Sequence, residues 1–366
     1  MKKNILIVTS EFPPQPGGIG NHAYNLASQL SLNNYKVAVI ADQRSLDGEE
    51  EQLFDAGLNY KVHRIKIKRF RVLMYLQRLI KLMALVRSVD VVIASGKFSL
   101  WNAGFCSLYR KRKFIAVVHG TEVNFKNTYL RKSIELSLKR FDHVIAVSNH
   151  TKSLIAYLNL NVAVIPNGYD SDKWNPSVVP FERLTGSPIL VTVGNVTSRK
   201  GQLNVISHLP ILKLKYPNIH YHCIGLPTEA DDFLSRATEL MVADHVSFHG
   251  RLDDLEMQSM LMASDIFVML SNETTTGDIE GFGIAVIEAN ALGIPAIGAA
   301  GSGLEDAIVD ELTGFLVPHN DADAFLNSMV EILKKHDAFR QASIKWSQKH
   351  QWQIIIKYYM DIIRNK

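Results

Sequence analysis

Twice along this 366-residue chain a strand-length apolar run opens into a glycine-bearing loop and then into a helix-forming stretch. Asn4 to Thr9 leads into Pro13-Pro14-Gln15-Pro16-Gly17-Gly18-Ile19-Gly20. Ile189–Val193 leads into Gly194-Asn195-Val196-Thr197-Ser198-Arg199-Lys200-Gly201. A continuous apolar run of this length reads as a strand covered on both faces, and strand, helix, strand in that order calls for a parallel sheet.

The alternation continues on both sides of a break. Helix from about Asn21 to Leu32 and strand at Lys36–Ile40 are followed by Arg44–Leu58, which is acidic and reads as turns. Val62, Ile65 and Ile67 predict a strand and Phe70–Arg87 a helix. Further strands are predicted at Val91–Ala94, Phe114–Val118, His143–Val147 and Val162–Ile165. Between Pro166-Asn167-Gly168 and Gly186-Ser187-Pro188 the chain is rich in Pro, Ser and Asp and loses periodicity, which marks a linker. Strands then resume at Ile189–Val193, Ile219–Ile224, Val246–Phe248, Ile266–Leu270, Pro295–Gly298 and Gly314–Val317, and Asp321–Lys335 and Gln351–Ile363 are amphipathic. The chain is long enough for two cores. The expectation is two Rossmann-like α/β domains, residues 1–172 and 173–350, facing across a cleft, with residues 351–366 packing back onto the first. Ligands of such folds bind beyond the carboxyl ends of the strands.

A formal charge of +4 and a pI near 8.8 give no reason to expect a nucleic-acid partner. Cys106 and Cys223, the two cysteines, form no C-x-x-C pair, so a reducing cytoplasm is expected. Ile5-Leu6-Ile7-Val8 is too short for a signal-peptide core, and no uncharged apolar run approaches the length of a membrane span.

The segment with the sharpest chemistry is Glu280-Gly281-Phe282-Gly283-Ile284-Ala285-Val286-Ile287-Glu288. Ile284, Ile287, Ala291 and Leu292 recur at helical spacing and Gly293 is a helix stop, so a helix should begin near Gly283 or Ile284. Glu280 then lies in the entry loop. At about 1.5 Å per residue, Glu288 lies roughly 6 Å along the helix. The mouth offers unpaired N–H groups and the positive dipole end to an anion, while carboxylates accept from hydroxyls. A phosphate flanked by two polyhydroxyl rings, a nucleotide sugar, suits that layout.

Three further sites carry chemistry. Gly17, Gly18 and Gly20 let a backbone approach a phosphate, although a plain strand-to-helix turn is the alternative, and the pattern is not the dinucleotide G-x-G-x-x-G. Arg199 and Lys200 could stabilise a departing diphosphate, or be a solvated pair. His119, at a strand end in Val118-His119-Gly120-Thr121-Glu122, could donate to a sugar hydroxyl or phosphate, support developing charge, or be a satisfied structural group, and Glu122 could orient it or contact acceptor. Asp170-x-Asp172 and Asp321-x-Asp323 have metal-pair spacing but read as a turn and a helix cap. His220-x-His222-Cys223 lacks further ligands, so no metal is expected. The run 61–87 holds Arg64, Lys66, Lys68, Arg69, Arg71, Arg78, Lys81 and Arg87 with no acidic residue. With Arg110-Lys111-Arg112-Lys113 it reads as a surface for anionic lipid or as solvated cations over a core.

These motifs together resemble the family-4 retaining glycosyltransferases of the GT-B fold over nearly the whole chain. The resemblance rests on Gly17-Gly18-Ile19-Gly20, His119-Gly120-Thr121-Glu122, Val147-Ser148, Pro166-Asn167-Gly168-x-Asp170, Arg199-Lys200-Gly201, His249-Gly250-Arg251 and Glu280-x7-Glu288. It implies that Gly18 and Ile19 offer N–H groups to the donor phosphate and that Lys200 binds the diphosphate. It also gives the donor-sugar hydroxyls to Glu280, the ribose to Glu288, the base to the backbone near Arg251, and a place beside the transferred sugar to His119. Gly281, Phe282, Gly283 and Ile284 complete the donor loop. Asn195 stands where many relatives have Arg, so either Arg199 supplies that charge or the diphosphate site is weaker.

Asp278-Ile279-Glu280-Gly281-Phe282-Gly283 is similar to the phosphatidylinositol mannosyltransferase-like branch, which implies GDP-mannose; uridine diphosphate sugars fit the same residues. The implied reaction is metal-free, cofactor-free transfer of a hexose to a hydroxyl of a glycan or lipid-linked acceptor, with retention, by a cytoplasmic protein at the inner membrane face. A nucleotide-sugar 2-epimerase of the same fold and a silent partner subunit are the alternatives.

Overall fold

The computed structural model describes residues 3–15, 17–109, 111–178 and 183–365, and the chain divides into two compact units, Met1–Gly168 with Trp352–Lys366, and Tyr169–Gln351. Among the described residues the first unit contains seven strands, β1 (Asn4–Thr9), β2 (Lys36–Asp42), β3 (Lys61–Ile65), β4 (Val91–Ser95), β5 (Lys113–Val118), β6 (His143–Ala146) and β7 (Val162–Val164). Their order is β3-β2-β1-β4-β5-β6-β7, all parallel, so the winding reverses between β1 and β4. Pairings such as Ile7 with Val39 and with Ile93 place fully buried residues side by side, as expected for strands covered on both faces.

Helices before and after these strands bury Leu26, Leu30, Leu82, Leu100, Ile134 and Leu138. The terminal helix Trp352–Arg364 packs on the helix Gly18–Leu32 and inserts Trp352, Ile355, Ile356, Tyr359 and Ile363 into this unit. One expectation is corrected. Within Arg44–Leu58 the chain forms a helix, Glu49–Ala56. Its first turn holds Glu49, Glu50 and Glu51, which favour the positive end of the dipole, and Gly48 enters it in the left-handed region. Glu51 is buried and its Oε1 accepts the Arg44 and Ser45 N–H groups at 2.8 and 2.9 Å, fixing the preceding turn. Short length and weak apolar periodicity hide such a helix in sequence.

The second unit contains β8 (Ile189–Val193), β9 (His220–Ile224), β10 (Val246–Phe248), β11 (Ile266–Met269), β12 (Ala296–Ala299) and β13 (Gly314–Val317), ordered β10-β9-β8-β11-β12-β13 and again parallel. Its winding reverses between β8 and β11. Leu190, Val205, Leu209, Tyr221, Phe233, Ile266, Val268 and Phe325 belong to one buried cluster that fastens helices to the sheet. Asp321 caps the helix Ala322–Lys334, its side chain accepting the Ala324 N–H at 2.9 Å, and Asp170 Oδ1 accepts the Asp172 N–H at 3.0 Å in a turn.

Candidate active site

In a doubly wound sheet the loops leaving the two strands at the reversal splay apart and leave room beyond their carboxyl ends. In the second unit these loops are 194–201, after β8, and 270–283, after β11. They approach closely at Gly201. Its φ is +81°, and a Cβ there would stand 1.9 Å from the Leu270 carbonyl oxygen, so only glycine lets the two loops meet. The Asn204 amide reinforces the junction by donating to the Leu270 carbonyl at 2.7 Å.

This junction brings Arg199 and Lys200 onto Glu280. Lys200 Nζ and Arg199 Nη1 each donate to Glu280 Oε2 at 2.7 Å, and Arg199 Nε lies 3.3 Å from Asp278 Oδ2. The Glu280 side chain is only 12% exposed. Burial alone would raise its pKa, but the Lys200 and Arg199 charges and their hydrogen bonds outweigh that and hold the carboxyl down at about 2. Arg199 is held above its usual value by the carboxylates of Glu280 and Asp278, which overcome its own burial. The Gly303 N–H donates to the Glu280 carbonyl at 2.9 Å and fixes the loop that carries it.

Three residues on, Gly283 enters the helix Ile284–Ala291 with φ +88°. Phe282 is buried, and the helix mouth lies one short loop from the Glu280 cations. Glu288 lies in that helix in a different setting. Burial pushes its carboxyl up to about 7, against the opposing pull of Lys173; Asp254 adds to the rise, while Lys200 and a hydrogen bond from the Trp174 indole act against it. Lys173 and Asp254 pair at 2.7 Å. Of the remaining donor-site candidates, Asn195 and Arg251 have exposed side chains. The Asn195 carbonyl accepts from the Gln202 amide at 3.1 Å, which folds the loop back on its helix. The Gly250 carbonyl accepts the Gly225 N–H at 2.8 Å, fixing the backbone beside Arg251.

In the first unit the corresponding loops leave β1 and β4. The helix Gly18–Leu32 starts at Gly18 itself, three residues earlier than its apolar pattern indicated, so Gly18 and Ile19 form the first turn. A Cβ at Gly18 would meet nothing within 4 Å; no steric demand of the protein requires glycine there. His119 ends β5. Its backbone N–H donates to Glu122 Oε1 at 2.6 Å, while its ring Nε2 lies 2.8 Å from Ser95 Oγ at the end of β4. Burial pushes His119 down to about 4, so the ring is neutral at physiological pH.

Glu122 had two expected roles, orienting the ring or contacting acceptor; its Oε1 holds the His119 backbone N–H, and Ser95 partners the imidazole. Sequence reading also missed His22, whose ring lies edge-on to His119 at 5.0 Å and whose Nε2 is 3.0 Å from Tyr359 Oη. Ser95, His22 and Tyr359 are remote from His119 along the chain and carry no local signal.

The basic run divides. Arg64 pairs with Asp55 at 2.7 Å, and Arg78 is wholly buried against Asp42 with its guanidinium over the Tyr75 and Phe98 rings. These two cations belong to the fold, whereas Lys66, Lys68 and Arg69 are exposed beside a stripe of Val72, Leu73, Leu76 and Ile80 on the helix Arg71–Leu85. The Arg71 side chain and Arg110 lie outside the described residues. Among the described residues no helix is long and apolar enough to cross a membrane, and no group of three or more His, Cys, Asp or Glu residues could hold a metal ion.

Comparison with known proteins identifies the family. Residues 16–173 match the model described as Glycosyltransferase Family 4, and residues 179–350 match Glycosyl transferases group 1. The chain is a family-4 glycosyltransferase. Its relatives include the GDP-mannose-dependent alpha-(1-6)-phosphatidylinositol monomannoside mannosyltransferase of Mycolicibacterium smegmatis, 26% identical over 94% of this chain and 93% of that protein. Among solved structures, a glycosyltransferase from Rickettsia africae superposes with a TM-score of 0.79 at 20% identity, covering all of both chains. Anabaena HepE in complex with UDP and glucose gives 0.78 at 18% identity over 99% of each. The family-4 glycosyltransferase therefore has the GT-B fold and is a hexosyltransferase that uses a nucleotide-sugar donor.

Proposed function

We propose that this glycosyltransferase moves mannose from GDP-mannose, with retention and without a metal ion, to a hydroxyl of a glycan or lipid-linked acceptor. The observation that carries the reading is the Lys200 and Arg199 pair held on Glu280 one loop from the Gly283 helix mouth. As the bond to the sugar breaks, negative charge grows on the diphosphate. Cations fixed in advance by a carboxylate stabilise that charge without reorganising. In this reading Lys200 contacts the diphosphate, Arg199 takes the part that Asn195 does not, and Glu280 accepts from sugar hydroxyls. Glu288 accepts from the ribose, and Gly281, Phe282, Gly283 and Ile284 shape the loop. The base lies on the backbone near Arg251. Gly18 and Ile19 serve the phosphate and His119 the transferred sugar. The departing diphosphate takes the acceptor proton, so no side chain is assigned as base. Mannose is favoured because the relative from Mycolicibacterium smegmatis, similar over nearly its full length, is GDP-mannose-dependent.

The reading extends to peripheral contact with an anionic membrane. The stripe Val72, Leu73, Leu76 and Ile80 is exposed with Lys66, Lys68 and Arg69 nearby, which pairs apolar insertion with charge attraction. Vesicles of phosphatidylglycerol should sediment the protein at low salt, and Leu76→Glu with Ile80→Glu should abolish that. Equal sedimentation of the variant defeats the membrane contact.

The donor is tested by melting the protein against a panel of nucleoside diphosphate sugars. GDP-mannose should stabilise it most, and stabilisation by uridine sugars alone overturns the mannose assignment. NMR of donor plus acceptor should show an α product; conversion of donor without acceptor would identify an epimerase.

A further inference from the structure

The amino ends of β4, β5 and β6, opposite the strand ends that carry Ser95 and His119, border an open concavity of about 500 Å³ lined by Asp90, Lys111, Arg112, Lys113, Arg140 and Asp142. That volume is in the range of small-molecule sites. Its two carboxylates have structural work. Asp90 Oδ2 accepts the Asn4 N–H at 2.8 Å and Asp142 Oδ2 accepts the Phe114 N–H at 2.7 Å, each closing the first rung of a neighbouring strand. Asp265 does the same for Ile189 in the second unit at 2.7 Å, where it serves the sheet alone.

The cations outnumber the carboxylates. Arg112 donates from Nε and Nη2 to the Val86 and Arg87 carbonyls at 3.3 and 3.0 Å, which locks the guanidinium and leaves its Nη1 edge. Lys113 Nζ donates to the Ile362 and Asn365 carbonyls. Among the described residues, the Lys111 and Arg140 side chains make no hydrogen bond or ion pair, and none of the four cations forms an ion pair with Asp90 or Asp142. Four cations face two carboxylates around this concavity, an excess of positive charge that a bound anion would balance. A fixed guanidinium edge with the exposed Lys111 ammonium and Arg140 guanidinium suits the oxygens of a phosphate.

We propose that this cavity binds a phosphate-bearing anion, either a soluble phosphate compound or the headgroup of an anionic lipid. The site is separate from the donor residues and does not depend on their assignment. The test is calorimetric titration with inorganic pyrophosphate of protein carrying Arg199→Ala and Lys200→Ala, so that the second unit's cations do not report. The same titration follows with Lys111→Gln and Arg140→Gln added. Both added positions are exposed, so the fold should persist, which melting checks. Binding weakened tenfold or more by the added changes assigns a soluble source. Flotation with phosphatidic acid vesicles, compared with phosphatidylcholine, is the second arm: a loss caused by Lys111→Gln and Arg140→Gln assigns the lipid source. Any flotation by the Leu76 and Ile80 stripe is unaffected by those substitutions. Pyrophosphate and vesicle binding that are both absent, or both unchanged by the substitutions, overturn the proposal.

Discussion

Glu280 and Glu288 stand eight residues apart in one loop and helix, yet their carboxyls behave as opposites, one held at about 2 and the other pushed to about 7. Burial raises both. What separates them is the number and closeness of cations. Glu280 has two nitrogens at 2.7 Å on one oxygen, whereas the strongest opposing influence on Glu288 is Lys173, whose charge is already engaged by Asp254 at 2.7 Å. Glu280 is therefore a permanent anion that presets two cations. Glu288 is a carboxyl that can gain or lose a proton near neutrality.

The largest expected effect comes from breaking the Glu280 side of this contrast. Lys200→Ala should lower kcat/KM by about 10²–10³, the usual loss when one preorganised electrostatic group is removed. Glu280 should at the same time titrate above about 2, because Arg199 alone opposes its burial. Glu280's contribution to stability is full above its ordinary 4.5 and is lost as pH falls towards 2, so acid unfolding of the variant should begin at higher pH. A loss of activity under tenfold in a folded variant would remove Lys200 from the diphosphate.

Glu288→Gln tests the other side, with the opposite sign. A carboxyl raised from 4.5 to about 7 contributes stability that is whole below 4.5 and is lost as pH rises through 7. The variant should match the wild type near pH 4.5 and melt a few degrees higher at pH 8. If the ribose hydroxyls donate to the ionised form, wild-type donor affinity should fall about tenfold per pH unit below 7, at roughly 1.4 kcal/mol per unit. Donor binding near pH 6.5 should then release a proton, detectable by calorimetry in buffers of different ionisation enthalpy. No such release should occur in Glu288→Gln. Proton release that persists there assigns it to another group.

The contrast also marks what a sequence can carry. The Glu280 side was legible because Arg199-Lys200 and Glu280-x7-Glu288 are contiguous motifs placed at the strand ends by long buried runs such as β8 and β11. The double grip on one carboxylate oxygen was not legible, since it depends on Gly201 admitting the Leu270 carbonyl. Glu288's shift was hidden altogether: Lys173 and Trp174 come from the linker, and Asp254 from the start of another helix. The same limit separates His119, visible at the end of its strand, from Ser95 and His22, which only the folded sheet brings to it. In the basic run, charge counting could not tell Arg78, buried against the stacked Tyr75 and Phe98 rings, from Lys68 in solvent.

The smallest effect, and the finest probe, is Lys173→Ala. Lys173 is the strongest influence lowering Glu288, and its removal also leaves Asp254 without its partner, so both changes push Glu288 further up. The Lys173 and Asp254 side chains are 37% and 65% exposed, however, so solvent and salt weaken the charge they project. The midpoint of donor-linked proton release should rise by less than about one pH unit, and 0.5 M salt should bring wild type and variant together. Trp174→Phe removes a hydrogen bond from a buried ring and should shift the midpoint in the same direction without that salt dependence. A fall in the midpoint with either substitution would mean that burial does not govern Glu288, and the contrast with Glu280 would then need another cause.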